Sequence, residues 1–218
     1  MKQRVFHYTA IGDSLTVGYG VPEDHSFPAR YRAIAEQALG RKVVLHNTGK
    51  VGATSSEILQ LVQQDPDVRA YVQQADLITV TAGGNDLIQA AKIYFNDMKV
   101  ETLKKALVVY AQSMRRLMLE LKRLRLNKNR PCIVRLVGIY NPIPEFDEAA
   151  FWIKRFNSVI VRLEKDSIRA VQVYDAFDGR LEELLSDDRF HPNSEGYNVL
   201  AELTHKLGYG GLAHKASK

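Results

Sequence analysis

The stretch Leu77-Ile78-Thr79-Val80-Thr81-Ala82-Gly83-Gly84-Asn85-Asp86 decides how the chain reads. Its first six residues are apolar or β-branched without alternation, which suits a strand covered on both faces. Two glycines then break the run, and a helix is expected from about Asp86. A buried strand that feeds straight into a helix is the repeating unit of a parallel sheet packed between helix layers.

The same unit recurs on either side. Val5 to Ile11, Val43 to Asn47, Cys132 to Ile139 and Ala170 to Tyr174 read as further strands. Between them lies a helix at Phe27 to Leu39, with Pro28 in its first turn and Gly40 past its end. A short helix at Ser55 to Gln63 is expected to stop before Pro66. A long helix starts near Glu101, and another carries Trp152, Phe156, Val159 and Leu163 as its buried stripe. The last has Ser194 as its expected cap, Tyr197, Leu200, Ala201, Thr204 and Leu207 inward, and Gly208 at its end. The expectation is one α/β domain over residues 1–209, a three-layer α/β/α sandwich on a five-stranded parallel sheet, with a frayed tail over 210–218.

Bulk properties narrow the partners. The chain has 218 residues, 45% of them hydrophobic, and one cysteine, Cys132, so no internal disulfide is available. No apolar run has the length of a transmembrane segment. The first residues lack the pattern of a signal peptide, so a cytoplasmic location is expected. The net charge of +5 owes much to Lys104, Lys105, Arg115, Arg116, Lys122, Arg123, Arg125, Lys128 and Arg130. Leu103, Leu107, Tyr110, Met114, Leu117, Leu121 and Leu124 recur among them at helical spacing, so the cations read as the solvated face of an amphipathic helix. The competing reading, from a different functional class, is a surface over 104–130 that binds an anionic partner. No nucleic-acid partner is expected.

In an open parallel sheet the ligand sits at the carboxyl ends of the strands. The loops there hold Gly12-Asp13-Ser14-Leu15-Thr16, Asn47 to Thr54, and Gly83-Gly84-Asn85-Asp86, and near the end of the chain comes Asp188-Arg189-Phe190-His191-Pro192-Asn193. Acyl transfer by a serine needs a hydroxyl, an imidazole to take its proton, a carboxylate to hold the imidazole, and donors for the oxyanion. Ser14, His191 and Asp188 fill the first three roles. The backbone N–H groups of Ser14 and Gly52, with the Asn85 side-chain amide, fill the fourth. Each fragment also has a bland reading. Gly-Asp-Ser is a good turn or helix cap, Asn85 or Asp86 would cap the following helix, and Gly52 supplies backbone freedom.

Taken together and in this order, the four blocks resemble the SGNH hydrolase superfamily, the GDSL esterases and lipases, from Gly12 to Asn193. The resemblance implies a flavodoxin-like sandwich, Ser14 as nucleophile, Asp188 and His191 as its partners, and an oxyanion hole from Ser14, Gly52 and Asn85, with Gly49 as a competitor for the glycine role. It implies no cofactor and no metal. The substrate would be a small-molecule or lipid ester. Carbohydrate O-acetyl esters, thioesters, lysophospholipids and acyl transfer all remain open on the same site. The chain also looks like small lipase/acylhydrolase-type members of Bacillus-like bacteria, some associated with spores. A neutral histidine base implies that activity falls below about pH 6–7, near the reference histidine value. The expected walls are the Thr16 to Phe27 loop, Leu87 to Val100, and Tyr140 to Phe151. That last stretch is read equally as an acyl-chain wall and as a proline-stiffened connector.

Overall fold

The computed structural model describes residues 4–126 and 130–213. Five strands form one parallel sheet in the order β2-β1-β3-β4-β5. They are β1 (Phe6–Gly12), β2 (Val43–Gly49), β3 (Leu77–Thr81), β4 (Ile133–Val137) and β5 (Ile168–Val171). The chain leaves β1 toward β2 on one side and returns to add β3 on the other. The topological switch point therefore lies between β1 and β3, where a doubly wound sheet opens its ligand crevice.

Side-chain alternation along the strands builds two cores. Tyr8 and Ala10 of β1 pack against one helix layer, made by α2 (Phe27–Leu39) and α10 (Ser194–Lys206). Ile11 of β1 with Ile78 and Val80 of β3 packs against the other, made by α3 (Ser55–Gln64), α4 (Pro66–Gln74), α6 (Val100–Arg125) and α7 (Asp147–Val161). The expected three-layer α/β/α sandwich is thus present, and β3 is buried at every position. The remaining helices are α1 (Ser14–Val17), α5 (Gly84–Asp97), α8 (Tyr174–Phe177) and α9 (Leu181–Leu184).

α2 follows its local signals closely. Ser26 caps it, Pro28 sits in its first turn, and Gly40 closes it at φ 60°. Elsewhere the structure corrects the sequence reading. α3 stops before Pro66 as expected, but a further helix follows at once: Asp65 accepts from the Asp67 and Val68 amides and starts α4, with Pro66 as its first residue, where no N–H is needed. Asn193, not Ser194, caps α10, because its carboxamide oxygen accepts from the Glu195 and Gly196 amides. Leu207 is 39% exposed instead of facing inward. The tail expected to fray from Gly210 is held at its start, where Gly210–Leu212 form a 3₁₀ turn with Leu212 buried. The rest of that tail, residues 214–218, lies outside the described residues.

The basic run forms α6 as expected, with Leu103, Tyr110, Met114, Leu117, Leu121 and Leu124 buried. Several of its cations have partners. Lys104 pairs with Glu101, and Arg123 and Arg69 share Glu120. Arg125 and Arg130 donate to the last carbonyls of α4, at Val72, Gln73 and Gln74. Lys128 lies outside the described residues. Among the described residues, no helix is long and apolar enough to cross a membrane.

Candidate active site

Ser14 is the first residue of α1, directly after β1. Asp13 sets it there. The Asp13 carboxylate accepts from the Leu15 amide at 3.1 Å and from the Thr81 hydroxyl at 2.7 Å, and the Asp13 amide donates to Thr81 Oγ1 at 3.2 Å. The Thr16 and Thr81 hydroxyls lie 2.9 Å apart. The ends of β1 and β3 are therefore tied together beneath the serine, which is 8% exposed. Burial raises the Asp13 pKa, against the hydrogen bonds from Thr81 and Leu15.

His191 comes to Ser14 from the loop between α9 and α10. Its Nε2 lies 3.1 Å from Ser14 Oγ, and its Nδ1 lies 2.7 Å from Asp188 Oδ2. The other Asp188 oxygen accepts from the Phe190 and His191 amides at 2.9 and 2.8 Å. One carboxylate thus shapes the turn and holds the ring at the same time. Burial pushes the Asp188 carboxyl up, but the bonds from the His191 ring and from the two amides outweigh it, and its pKa falls below the ordinary value. The loop is pinned by Tyr140, whose hydroxyl donates to the Phe190 carbonyl at 2.6 Å, and by the Ser186 amide, which donates to the His191 carbonyl at 2.8 Å.

The glycine block separates its two candidates. A Cβ on Gly49 would lie 2.7 Å from the Val17 backbone nitrogen, so this glycine permits α1 to lie against β2. Asn47 strengthens the same contact by donating to the Thr16 carbonyl at 2.8 Å. Gly52 has a different setting. It lies on the exposed turn closed by the Ala53 amide on the Lys50 carbonyl, at φ 79°, where glycine is favoured, and a Cβ there would touch nothing.

Neither Asn85 nor Asp86 caps α5, contrary to one sequence reading. Gly83 holds the cap position and the helix begins at Gly84. Asn85 Nδ2 instead donates to the Ala53 carbonyl at 3.0 Å, which joins α5 to the Gly52 turn. Asp86 accepts from the Ser55 amide at 2.8 Å and the Ser55 hydroxyl at 2.6 Å, so it serves the first turn of α3. Burial raises its pKa against those bonds.

Beside these groups opens a cavity of about 360 Å³. Ser14, Asn85 and His191 form one end, while Gly52 and Asp188 are not among its walls. The rest is mostly apolar, with Ile88, Ala91 and Phe95 from α5, Leu103 from α6, and Trp152 and Ile153 from α7. Two of the three expected walls are there, including Tyr140, Pro142, Ile143 and Phe146; that stretch lines the cavity while its Tyr140 also packs in the core against Phe177. The Thr16 to Phe27 loop is not. Its Tyr19 packs on the His191 ring instead, with centroids 4.5 Å apart. Asp13 caps α1, as the helix-cap reading of Gly-Asp-Ser allowed, while Tyr19 and the tie between Asp13 and Thr81 were missed by sequence reasoning. Asp13 had a signal, as an N-capping residue type before a helix; Tyr19 and Thr81 had none.

Comparison with known proteins agrees with this architecture. A model of the GDSL-like Lipase/Acylhydrolase family matches residues 10–199. The spore germination lipase LipC of Bacillus licheniformis is 36% identical over 207 residues, covering 94% of this chain and 97% of that protein. The crystal structure of the lipase Lip_vut3 from a goat rumen metagenome is 35% identical, with a TM-score of 0.90, and the match covers 95% of this chain and 99% of that one. An acetylxylan esterase from Geobacillus stearothermophilus shares the fold at 19% identity and a TM-score of 0.68, over 96% of this chain and 97% of that one. With the family model spanning most of its length and a relative aligned nearly end to end, the chain belongs to the GDSL-like lipase/acylhydrolase family and is a carboxylic ester hydrolase.

Proposed function

We propose that the chain cleaves esters through an acyl-enzyme on Ser14, with His191 as general base and then general acid, and Asp188 as the carboxylate that orients the ring. The observation that carries this reading is the double contact of one imidazole, Nε2 to Ser14 Oγ and Nδ1 to Asp188 Oδ2. A proton on Nδ1 facing the carboxylate leaves the Nε2 lone pair toward the hydroxyl. With its pKa below the ordinary value, Asp188 stays ionised wherever a histidine is neutral.

The steps follow from these positions. His191 Nε2 takes the Ser14 proton as Oγ bonds to the ester carbonyl carbon. The Ser14 and Gly52 N–H groups and the Asn85 amide hold the oxyanion. In support, a carboxamide nitrogen carries two hydrogens, and the bond to Ala53 uses one. As the C–O bond breaks, His191 returns the proton to the leaving alcohol. Water then attacks the acyl-enzyme with His191 again as base, and the acid departs as Ser14 regains its proton.

The apolar cavity supports the acyl part of an ester as its occupant more than a sugar, whose hydroxyls would lose water without gaining partners there. Thioesters and lysophospholipids present the same carbonyl and differ in the leaving group. A spore association belongs to this reading and rests on the name of the Bacillus licheniformis relative; a fluorescent fusion absent from the spores of a spore-forming host would remove it.

The test is hydrolysis of p-nitrophenyl butyrate and labelling by a fluorophosphonate. Ser14→Ala is expected to abolish labelling, and Ser14→Ala and His191→Ala each to lower kcat by roughly 10⁴-fold or more. Undiminished turnover in either variant would sink the assignment.

A further inference from the structure

The cavity extends well beyond what a short ester needs. Asn85, Ile88, Ala91 and Phe95 line it at steps of three or four residues, so one face of α5 follows it, and Met98, which closes the helix, lines it next. At ~1.5 Å per residue the run from Asn85 to Met98 covers about 20 Å. An extended alkyl chain with carbon–carbon bonds of ~1.5 Å advances about 1.3 Å per carbon, so the whole run matches about 15 carbons and its stretch to Phe95 about 12.

The cross-section also suits a chain. Leu103, Trp152 and Ile153 are buried and form the inner side. On the outer side Phe95 and Phe146 meet with ring centroids 6.0 Å apart, though they are 57% and 44% exposed. Rings that line a cavity and also face water act as its roof. The acidic and basic wall residues are Asp13 and His191 at the serine end and the exposed Glu148, with Tyr94 and Tyr140 as the phenols. An uncharged chain thus meets no unpaired charge along α5.

We infer that the site binds one long, unbranched acyl chain of about 12–15 carbons, laid along α5 from Ser14 toward Met98, with Ala91 setting how far it runs. Apart from Gly84 at the start of the helix, Ala91 has the smallest side chain on the α5 wall, and it lies midway along it. The direction of the chain rests on Ser14 being the acylated residue; the existence of the chain site does not.

Trp152, the only tryptophan in the sequence, lines the cavity and reports its occupancy. The Ser14→Ala protein is titrated with sodium butyrate, laurate and palmitate below their micelle concentrations. Laurate and palmitate are expected to shift Trp152 emission along a single-site curve, and butyrate to leave it unchanged. Ala91→Phe in that background is expected to weaken palmitate at least thirtyfold, and Phe95→Ala, at an exposed position that tolerates truncation, about tenfold. In the wild type, kcat/KM for p-nitrophenyl esters should rise by up to about fourfold per added methylene, the equivalent of about 0.8 kcal/mol, and level off at 12–15 carbons. Ala91→Phe should move that maximum to shorter esters. No saturable response to palmitate, or palmitate affinity unchanged by both substitutions, overturns the inference even if esterase activity is intact. Palmitate binding without any esterase activity would instead overturn the role of Ser14 and support the chain site.

Discussion

Ser14 stands between two sets of groups built in opposite ways, a polar framework partly behind the cavity surface and an apolar cavity wall. On one side, Asp13, Thr81, Asp86, Asp188 and His191 are held by short, directional hydrogen bonds, several made by both oxygens of one carboxylate. On the other, α5 and α7 present aliphatic and aromatic surface that packs without directional bonds. The first set fixes where a proton goes, which tolerates errors of tenths of an ångström at most. The second fixes how much apolar surface a substrate loses, which depends on area and tolerates variation in shape. Within one cleft, reaction and substrate are thus set by separable groups, and substitutions on the two sides should fail differently.

The strongest way to break that division is at Asp188. Asp188→Asn should lower kcat by about 10³–10⁴-fold with little change in KM, because the ring loses the group that selects its tautomer. It should also move the acid limb of the pH–rate profile to lower pH, since a lost anion makes the protonated ring less favourable. An acid limb that stays in place would argue that Asp188 only shapes the turn.

Next comes Asn85. Asn85→Ala should cost about 10²–10³-fold in kcat if its amide serves the oxyanion. A change confined to stability would reduce Asn85 to its bond with Ala53.

Asp86→Ala tests whether the polar framework also carries stability. It strands the Ser55 amide and hydroxyl and should cost about 2 kcal/mol, read by urea unfolding. Burial raises the Asp86 pKa in the fold. Its titration therefore contributes stability below the unfolded value that is lost as pH rises through the folded one, so the penalty should be smaller at pH 8 than at pH 4.

The smallest effect is expected far from both sets. Lys122→Ala on the exposed face of α6 should change stability by less than about 0.5 kcal/mol and leave ester hydrolysis unchanged. A salt-sensitive loss of activity would revive the basic face as a functional surface.

How much of this was legible depended on how local the signals were. α2 was readable to the residue because its cap, its proline and its closing glycine all lie within its own stretch of chain. α4 was not, because a proline that ends one helix is also the best first residue of the next, and the capping carboxylate of Asp65 decided between them. Asn193 and Ser194 are adjacent and both good caps; only the backbone geometry chose the asparagine. The blocks that hold Ser14, Asp188 and His191 were legible because they follow in a recognisable order, Ser14 after β1 and the other two in the loop between α9 and α10. Tyr19 was not, since its contact with His191 joins segments far apart in the chain.

Sequence alone determined the alternation of buried strands and helices, and with it the parallel sheet and the positions of Ser14 and Asn85 just past strand ends. Those features depend on hydrophobic periodicity and turn residues, which act over a few neighbours. Only the tertiary structure assigned Gly49 to helix–strand packing and separated it from Gly52, gave Asn85 and Asp86 their partners, and opened the cavity along α5. These depend on distances between segments brought together by the two cores, and periodicity carries no information about the space three helices leave between them.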